Sequence, residues 1–120
     1  ILLIEDNEQN RYLVTYLLQA RGWEVAHAAD GPAGLALAAA ATPALILPDI
    51  QLPGMDGHAV ARALRENPAL DAIPVVAVTS YAMAGDRERC IEAGCDGYLE
   101  KPIDPLTFAG QVESFIRKMP

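Results

Sequence analysis

Glu5 and Asp6 follow the apolar run Ile1-Leu2-Leu3-Ile4, and Asp49 follows Ala44-Leu45-Ile46-Leu47-Pro48. Thr79 follows Val75-Val76-Ala77-Val78, and Lys101 follows Tyr98-Leu99-Glu100. If these runs are parallel strands of one sheet, every one of these groups emerges at the same edge. In open α/β sheets that edge, outside the carboxyl ends of the strands, is where ligands bind. Three carboxylates, one hydroxyl and one ammonium would then share a pocket. Carboxylates at close quarters repel and resist ionising together. A hard divalent cation removes that cost, and Mg²⁺ takes oxygen ligands, usually one or two carboxylates with a phosphate. No Cys or His stands at these strand ends, which argues against zinc. Lys101 is a compact point charge suited to a phosphoryl or carboxylate oxygen. Thr79 offers a hydroxyl to the same group. A carboxylate can itself attack phosphorus to give an aspartyl phosphate, and Asp49, alone on the central strand, is the natural nucleophile. Catalysis at such a site is mostly positioning and charge neutralisation.

The elements that must position these groups follow from the patterning. Apolar runs alternate with longer amphipathic stretches, the rhythm of βαβ repetition. Ile1–Ile4, Ala44–Leu47 and Val75–Val78 are apolar throughout, as strands buried on both faces are. Trp23–Ala28 alternates and suits one edge, and Gly97–Glu100 suits the other. Five helices are expected between them. Glu8–Arg21 carries Leu13, Val14, Leu17 and Leu18 on one face, with Asn7 as N-cap and Gly22 as stop. Gly31–Ala41 follows Asp30, Gly57–Glu66 follows Asp56 after the turn Pro53-Gly54-Met55, and Ala84–Ala93 ends at Gly94. Pro105–Met119 has Asp104 as cap and Pro105 at the first helical position. Its apolar face is read as Leu106, Phe108, Ala109, Val112, Phe115 and Ile116. Right-handed crossovers leave few topologies for five βα units. The one adopted is a doubly wound five-stranded parallel sheet of order 2-1-3-4-5, which sets Glu5, Asp6 and Asp49 side by side.

The chain has 120 residues, which sets one domain, residues 1–120. Hydrophobic residues make up 52%, arguing a folded core. No apolar run approaches the roughly 18 residues of a membrane span, and no signal-peptide pattern is visible. The sequence opens at Ile1 within an apolar run and without Met, so residues upstream are expected. A net charge of −7 disfavours direct nucleic-acid binding, because phosphate contacts need Lys and Arg. Cys90 and Cys95 are too few for a disulfide framework and read as reduced thiols of a cytoplasmic protein. His27 and His58 lie away from the strand ends and read as surface residues.

Four segments carry a resemblance that runs from end to end of the chain. Ile4-Glu5-Asp6-Asn7, Asp49-Ile50-Gln51-Leu52-Pro53-Gly54-Met55-Asp56-Gly57, Val78-Thr79-Ser80 and Gly97-Tyr98-Leu99-Glu100-Lys101-Pro102 resemble the receiver domain of two-component response regulators. The flavodoxin-like (βα)₅ fold with strand order 2-1-3-4-5 is a property of that family and counts with the resemblance. The resemblance implies that Asp49 is the phosphoacceptor, taking its group from a histidine kinase or histidine phosphotransfer protein. It implies Mg²⁺ as cofactor, with Asp6 a direct ligand, Glu5 reaching the metal through water, and Asp49 and the Gln51 backbone carbonyl completing the protein ligands. Thr79 and Lys101 become the phosphoryl contacts, with the amides of Gln51 and Ser80. Tyr98 becomes the switch aromatic that turns inward as Thr79 moves, and Lys101-Pro102 a cis bond. One residue departs from the pattern: Pro48, before Asp49, removes a ladder donor and is disfavoured in central strands.

The resemblance thus implies a phosphorylation-dependent switch, with at most weak autophosphatase activity, in two-component or phosphorelay signalling. Its partners would be the phosphodonor and a downstream protein or attached output domain, with a homodimer through the fourth helix, fifth strand and fifth helix as a further expectation. Three rivals are weaker. An aspartyl phosphatase of the haloacid-dehalogenase type needs a second Asp two residues after the nucleophile, where Gln51 stands. A degenerate, binding-only receiver is at odds with intact Glu5, Asp6, Asp49, Thr79 and Lys101. A dinucleotide-binding domain lacks G-x-G-x-x-G after the first strand.

Overall fold

The computed structural model describes residues 1–52, 54–79 and 85–117. Pro53, Ser80, Ala84 and Met119, each invoked above, lie outside the described residues. Strands and helices alternate along the chain: β1 (Leu2–Ile4), α1 (Glu8–Gln19), β2 (Ala26–Ala28), α2 (Gly31–Ala41), β3 (Ile46–Pro48), α3 (Gly57–Glu66), β4 (Val76–Thr79), α4 (Asp86–Ala93), β5 (Gly97–Glu100) and α5 (Phe108–Arg117). All pairings are parallel. One ladder runs β2-β1-β3 and another β4-β5. They meet along β3 and β4 through the isolated bridges Ile46–Val75 and Asp49–Val78, so the strands succeed one another as 2-1-3-4-5.

Successive side chains of a strand point to opposite faces, and two apolar clusters result. Leu2, Ile4, Ile46, Val75 and Ala77 join Ala38, Val60, Ala61, Leu64, Cys90 and Ala93 under α2, α3 and α4. Leu3, Leu47, Val76 and Val78 join Val14, Leu18, Phe108, Ala109 and Val112 under α1 and α5. The strands are apolar throughout because both faces are covered.

The helix starts follow capping chemistry. The side chains of Asn7, Asp30 and Asp56 accept the N–H groups of Asn10, Ala33 and Ala59, each at 2.9 Å. Asp104 caps as expected, its Oδ1 accepting the Leu106 N–H at 2.9 Å. The regular helix nevertheless begins at Phe108, later than Pro105. Leu106 therefore falls in the preceding turn and is 93% exposed, so it is no part of the apolar face. β2 is shorter than expected. Trp23 and Val25 pack half-buried on the second cluster without joining the ladder, because the chain is still leaving α1, with the Trp23 N–H bonded to Leu18 O at 3.2 Å.

The turn after β3 brings α3 back against the strand end. A Cβ on Gly57 would lie 2.8 Å from the backbone oxygen of Asp49 and 2.9 Å from Ile50 Cα, so the loop that presents Asp49 closes only over a glycine. We expect Gly57→Ala to lower stability by about 1–3 kcal/mol through this overpacking. Gly110→Ala, at an exposed helical position with nothing within 4 Å of the new Cβ, should raise it by about 0.5–1 kcal/mol. Urea unfolding of the two variants checks both signs.

Candidate functional site

The carboxyl ends of β1, β3, β4 and β5 deliver their side chains to one edge. Glu5 comes directly after β1, Asp49 after β3, Thr79 ends β4 and Lys101 follows β5. Parallel pairing sets their depth. The Asp49 N–H donates to Ile4 O at 2.9 Å and the Lys101 N–H to Thr79 O at 2.7 Å, so neighbouring strands end in step. The Lys101–Pro102 bond is cis, as the resemblance implied.

Glu5, Asp49 and Thr79 are buried, and Asp6 is exposed. Glu5, Asp6 and Asp49 each offer an oxygen within 4.8 Å of the others. Lys101 Nζ lies 2.6 Å from Glu5 Oε1 and 3.1 Å from Asp49 Oδ2. The expected cluster is therefore assembled, but the ammonium bonds Glu5 more closely than Asp49. Gln51 does more than its backbone suggested. Its N–H donates to Asp49 Oδ1 at 3.0 Å, and its side-chain amide donates to Thr79 Oγ1 at 2.8 Å. It thus fixes the Asp49 rotamer and links the ends of β3 and β4. Nothing in the sequence marks this side-chain contact, since residues 51 and 79 come together only through strand pairing. Tyr98 is half-buried on the α2–α4 face, and its hydroxyl is buried without a hydrogen-bond partner among the described residues.

Three carboxylates against one ammonium leave an excess of two negative charges when all are ionised. The donors are all oxygens and one of them faces solvent, which suits a hard divalent ion. Burial, and next the hydrogen bond with Asp49, push the Glu5 carboxyl from 4.5 up to about 7, against the opposing pull of Lys101. Burial alone would lower the Lys101 ammonium, but the bonds to Glu5 and Asp49 outweigh it and its pKa is raised.

His27 is exposed, as expected. His58 is not a simple surface residue. It is half-buried, with Nε2 3.2 Å from Cys90 Sγ, because α3 packs beside α4. Burial pushes both thiols up, Cys95 to about 12, which disfavours the reactive thiolate form.

The response regulator receiver domain family matches residues 1–113. The chain belongs to that family. The receiver is similar to the polar-differentiation response regulator DivK of Brucella anthropi, 40% identical over 116 residues that cover 97% of this chain and 94% of that protein. It also resembles the receiver domain of sensor histidine kinase PA1611 from Pseudomonas aeruginosa, solved with a magnesium ion coordinated in the active-site cleft. That structure is 33% identical, covers 97% of this chain and 95% of its own, and superposes with a TM-score of 0.88. A response regulator from Chloroflexus aurantiacus gives a TM-score of 0.91 at 26% identity over 97% of this chain and 95% of that one. The receiver is accordingly a signalling module of histidine-kinase pathways. Among its described residues no helix is long and apolar enough to cross a membrane.

The raised Glu5 carboxyl has a consequence for the metal-free receiver. The folded protein holds a proton on Glu5 that the unfolded chain has already lost between pH 4.5 and about 7. This contribution is fully present below pH 4.5 and disappears as pH rises through about 7. Stability in a chelator should fall by roughly 2 kcal/mol from this group between pH 5 and 8. Glu5→Gln should flatten that part of the profile, and urea midpoints at the two pH values measure it.

Proposed function

We infer that Asp49 accepts a phosphoryl group from a phosphohistidine of a histidine kinase or histidine phosphotransfer protein, and that the receiver works as a cytoplasmic switch rather than as an enzyme. The observation that carries this reading is the convergence of Asp49 with Glu5, Asp6 and Lys101 at one strand edge. A carboxylate oxygen of Asp49 attacks phosphorus, the bond from phosphorus to the imidazole nitrogen breaks, and its electron pair returns to the ring. The product is an aspartyl phosphate. The Gln51 N–H holds the nucleophile's rotamer. Lys101 transfers its ammonium from Glu5 and Asp49 to the new phosphoryl oxygens, where charge-assisted bonds are strong. Thr79 turns its hydroxyl to the same group.

Mg²⁺, when bound, neutralises charge as two anionic groups approach. Asp6, Glu5 (through water), Asp49 and the Gln51 backbone carbonyl would hold it. The all-oxygen donor set and the magnesium in the Pseudomonas aeruginosa structure support this assignment.

A phosphoryl group adds about −1.5 to −2 charges and three acceptor oxygens. Once Thr79 moves toward it, the Tyr98 ring can fill the space behind. That displacement would alter the face of α4, β5 and α5, where Ile91 is exposed. Downstream proteins, an output domain or a second copy would read that face.

Two outcomes test the reading. With acetyl phosphate and Mg²⁺, intact mass should show one phosphate adduct on the wild type and none on Asp49→Ala; an adduct that survives the substitution overturns the assignment. In Mg²⁺ titrations followed by NMR shifts, Asp6→Asn should weaken affinity by roughly tenfold or more, and unchanged affinity would remove Asp6 from the ligand set.

A further inference from the structure

One rung of the β3–β4 pairing is missing, and the residue that removes it stands next to Asp49. At β3 and just beyond it, even-numbered residues face the β4 segment: Ile46 N–H reaches Pro74 O at 2.9 Å and Ile50 N–H reaches Val78 O at 3.0 Å. The rung between them belongs to residue 48 and would end on the Val76 carbonyl. Pro48 has no N–H. The bridges Ile46–Val75 and Asp49–Val78 keep one register, and the two pairings between them both require the missing donor. Opposite the proline, the carbonyl of fully buried Val76 loses its sheet partner.

The seam also divides the pocket. Glu5, Asp6, Asp49 and Gln51 belong to the β2-β1-β3 half, and Thr79 and Lys101 to the β4-β5 half. At this edge side chains span the gap: Lys101 to Glu5 and Asp49, and Gln51 to Thr79. These are the contacts that a phosphoryl group would replace.

We propose that Pro48 is a positioning residue that makes the β3–β4 seam the compliant joint of the receiver, so that loading the pocket shifts the β4-β5 half against the β2-β1-β3 half. The proposal rests on the phosphoacceptor reading for its ligand but on Pro48 and the strand register for its mechanics. With the middle rung absent, fewer backbone bonds join β3 to β4, so the cross-pocket contacts carry a larger share of the joint, and exchanging them for phosphoryl contacts resets the seam. A complete ladder would resist that shift.

Asp49 and Ile50 supply adjacent amides that report opposite seams, since Asp49 N–H is bound by Ile4 O in β1. Amide exchange followed by NMR should show Ile46 and Ile50 exchanging faster than Asp49 and Leu2 in the metal-free wild type. Pro48→Val and Pro48→Ala both restore the N–H, and each should slow Ile46 and Ile50 by about three- to tenfold while leaving Asp49 unchanged. Beryllofluoride with Mg²⁺, a phosphoryl mimic, should change protection at Ile46 and Ile50 in the wild type and much less in both variants. Equal exchange at the two seams of the wild type overturns the proposal. So does slowing in Pro48→Val alone, which would be a packing effect, or an equal beryllofluoride response in all three proteins, which would make Pro48 merely structural. A wild type that binds no beryllofluoride overturns the phosphoacceptor reading instead, and the joint is then decided by the metal-free exchange rates.

Discussion

Two carboxylates, Glu5 and Asp49, are buried at the ends of adjacent central strands, and the Lys101 ammonium lies between them. Removing ions from water is costly, and only close, well-directed pairing offsets it. The rest of the site follows from that requirement. Lys101 has to come from the strand beyond β4, at the same height as Glu5 and Asp49, and the backbone bond from its N–H to Thr79 O sets that height. Gln51 then ties Asp49 to Thr79 and leaves a carboxylate with one oxygen committed to a backbone donor. With all three carboxylates ionised, one ammonium leaves the cluster with excess negative charge, and Asp6 is the member that reaches solvent.

The same arrangement explains how a local change at Asp49 can be felt elsewhere. Both faces of the sheet are covered, so α1 and α5 respond to one set of strand residues and α2, α3 and α4 to the other. Thr79 ends β4 and Lys101 follows β5 with its N–H on Thr79 O, so a shift in either would act on the strands beside α4. Packed interiors transmit such shifts because they are dense and respond in steps rather than continuously. Tyr98 is half-buried on that side, and its hydroxyl has no hydrogen-bond partner among the described residues, a costly arrangement for a buried hydroxyl.

The helices show how capping and packing divide the work of boundary setting. Asn7, Asp30, Asp56 and Asp104 act where their side-chain chemistry directs them. Yet Asp104 opens a turn before it opens a regular helix, and Leu106, apolar and in phase, is left in solvent. Position along a helix pattern decides burial only after the helix axis has settled on the sheet, and that docking depends on Phe108, Ala109 and Val112 meeting Leu3, Leu47 and Val76.

Much of this receiver was determined by the sequence itself. Apolar runs that end in a charged or hydroxyl residue state where each strand stops and what it presents, because strand period and burial are local properties of the chain. Alternation with amphipathic stretches then restricts the topology, and the motif segments name the family. Tertiary structure alone decided who touches whom. Lys101 closer to Glu5 than to Asp49, the Gln51 amide on Thr79 and His58 against Cys90 are each contacts between residues 28 to 96 positions apart. No local pattern encodes such distances, since they depend on the relative height and twist of paired strands. Pro48 shows the division most plainly. That it removes a donor is written in the residue, but that the loss falls on β4 rather than β1 was settled by which way the ring nitrogen of Pro48 faces in the paired sheet.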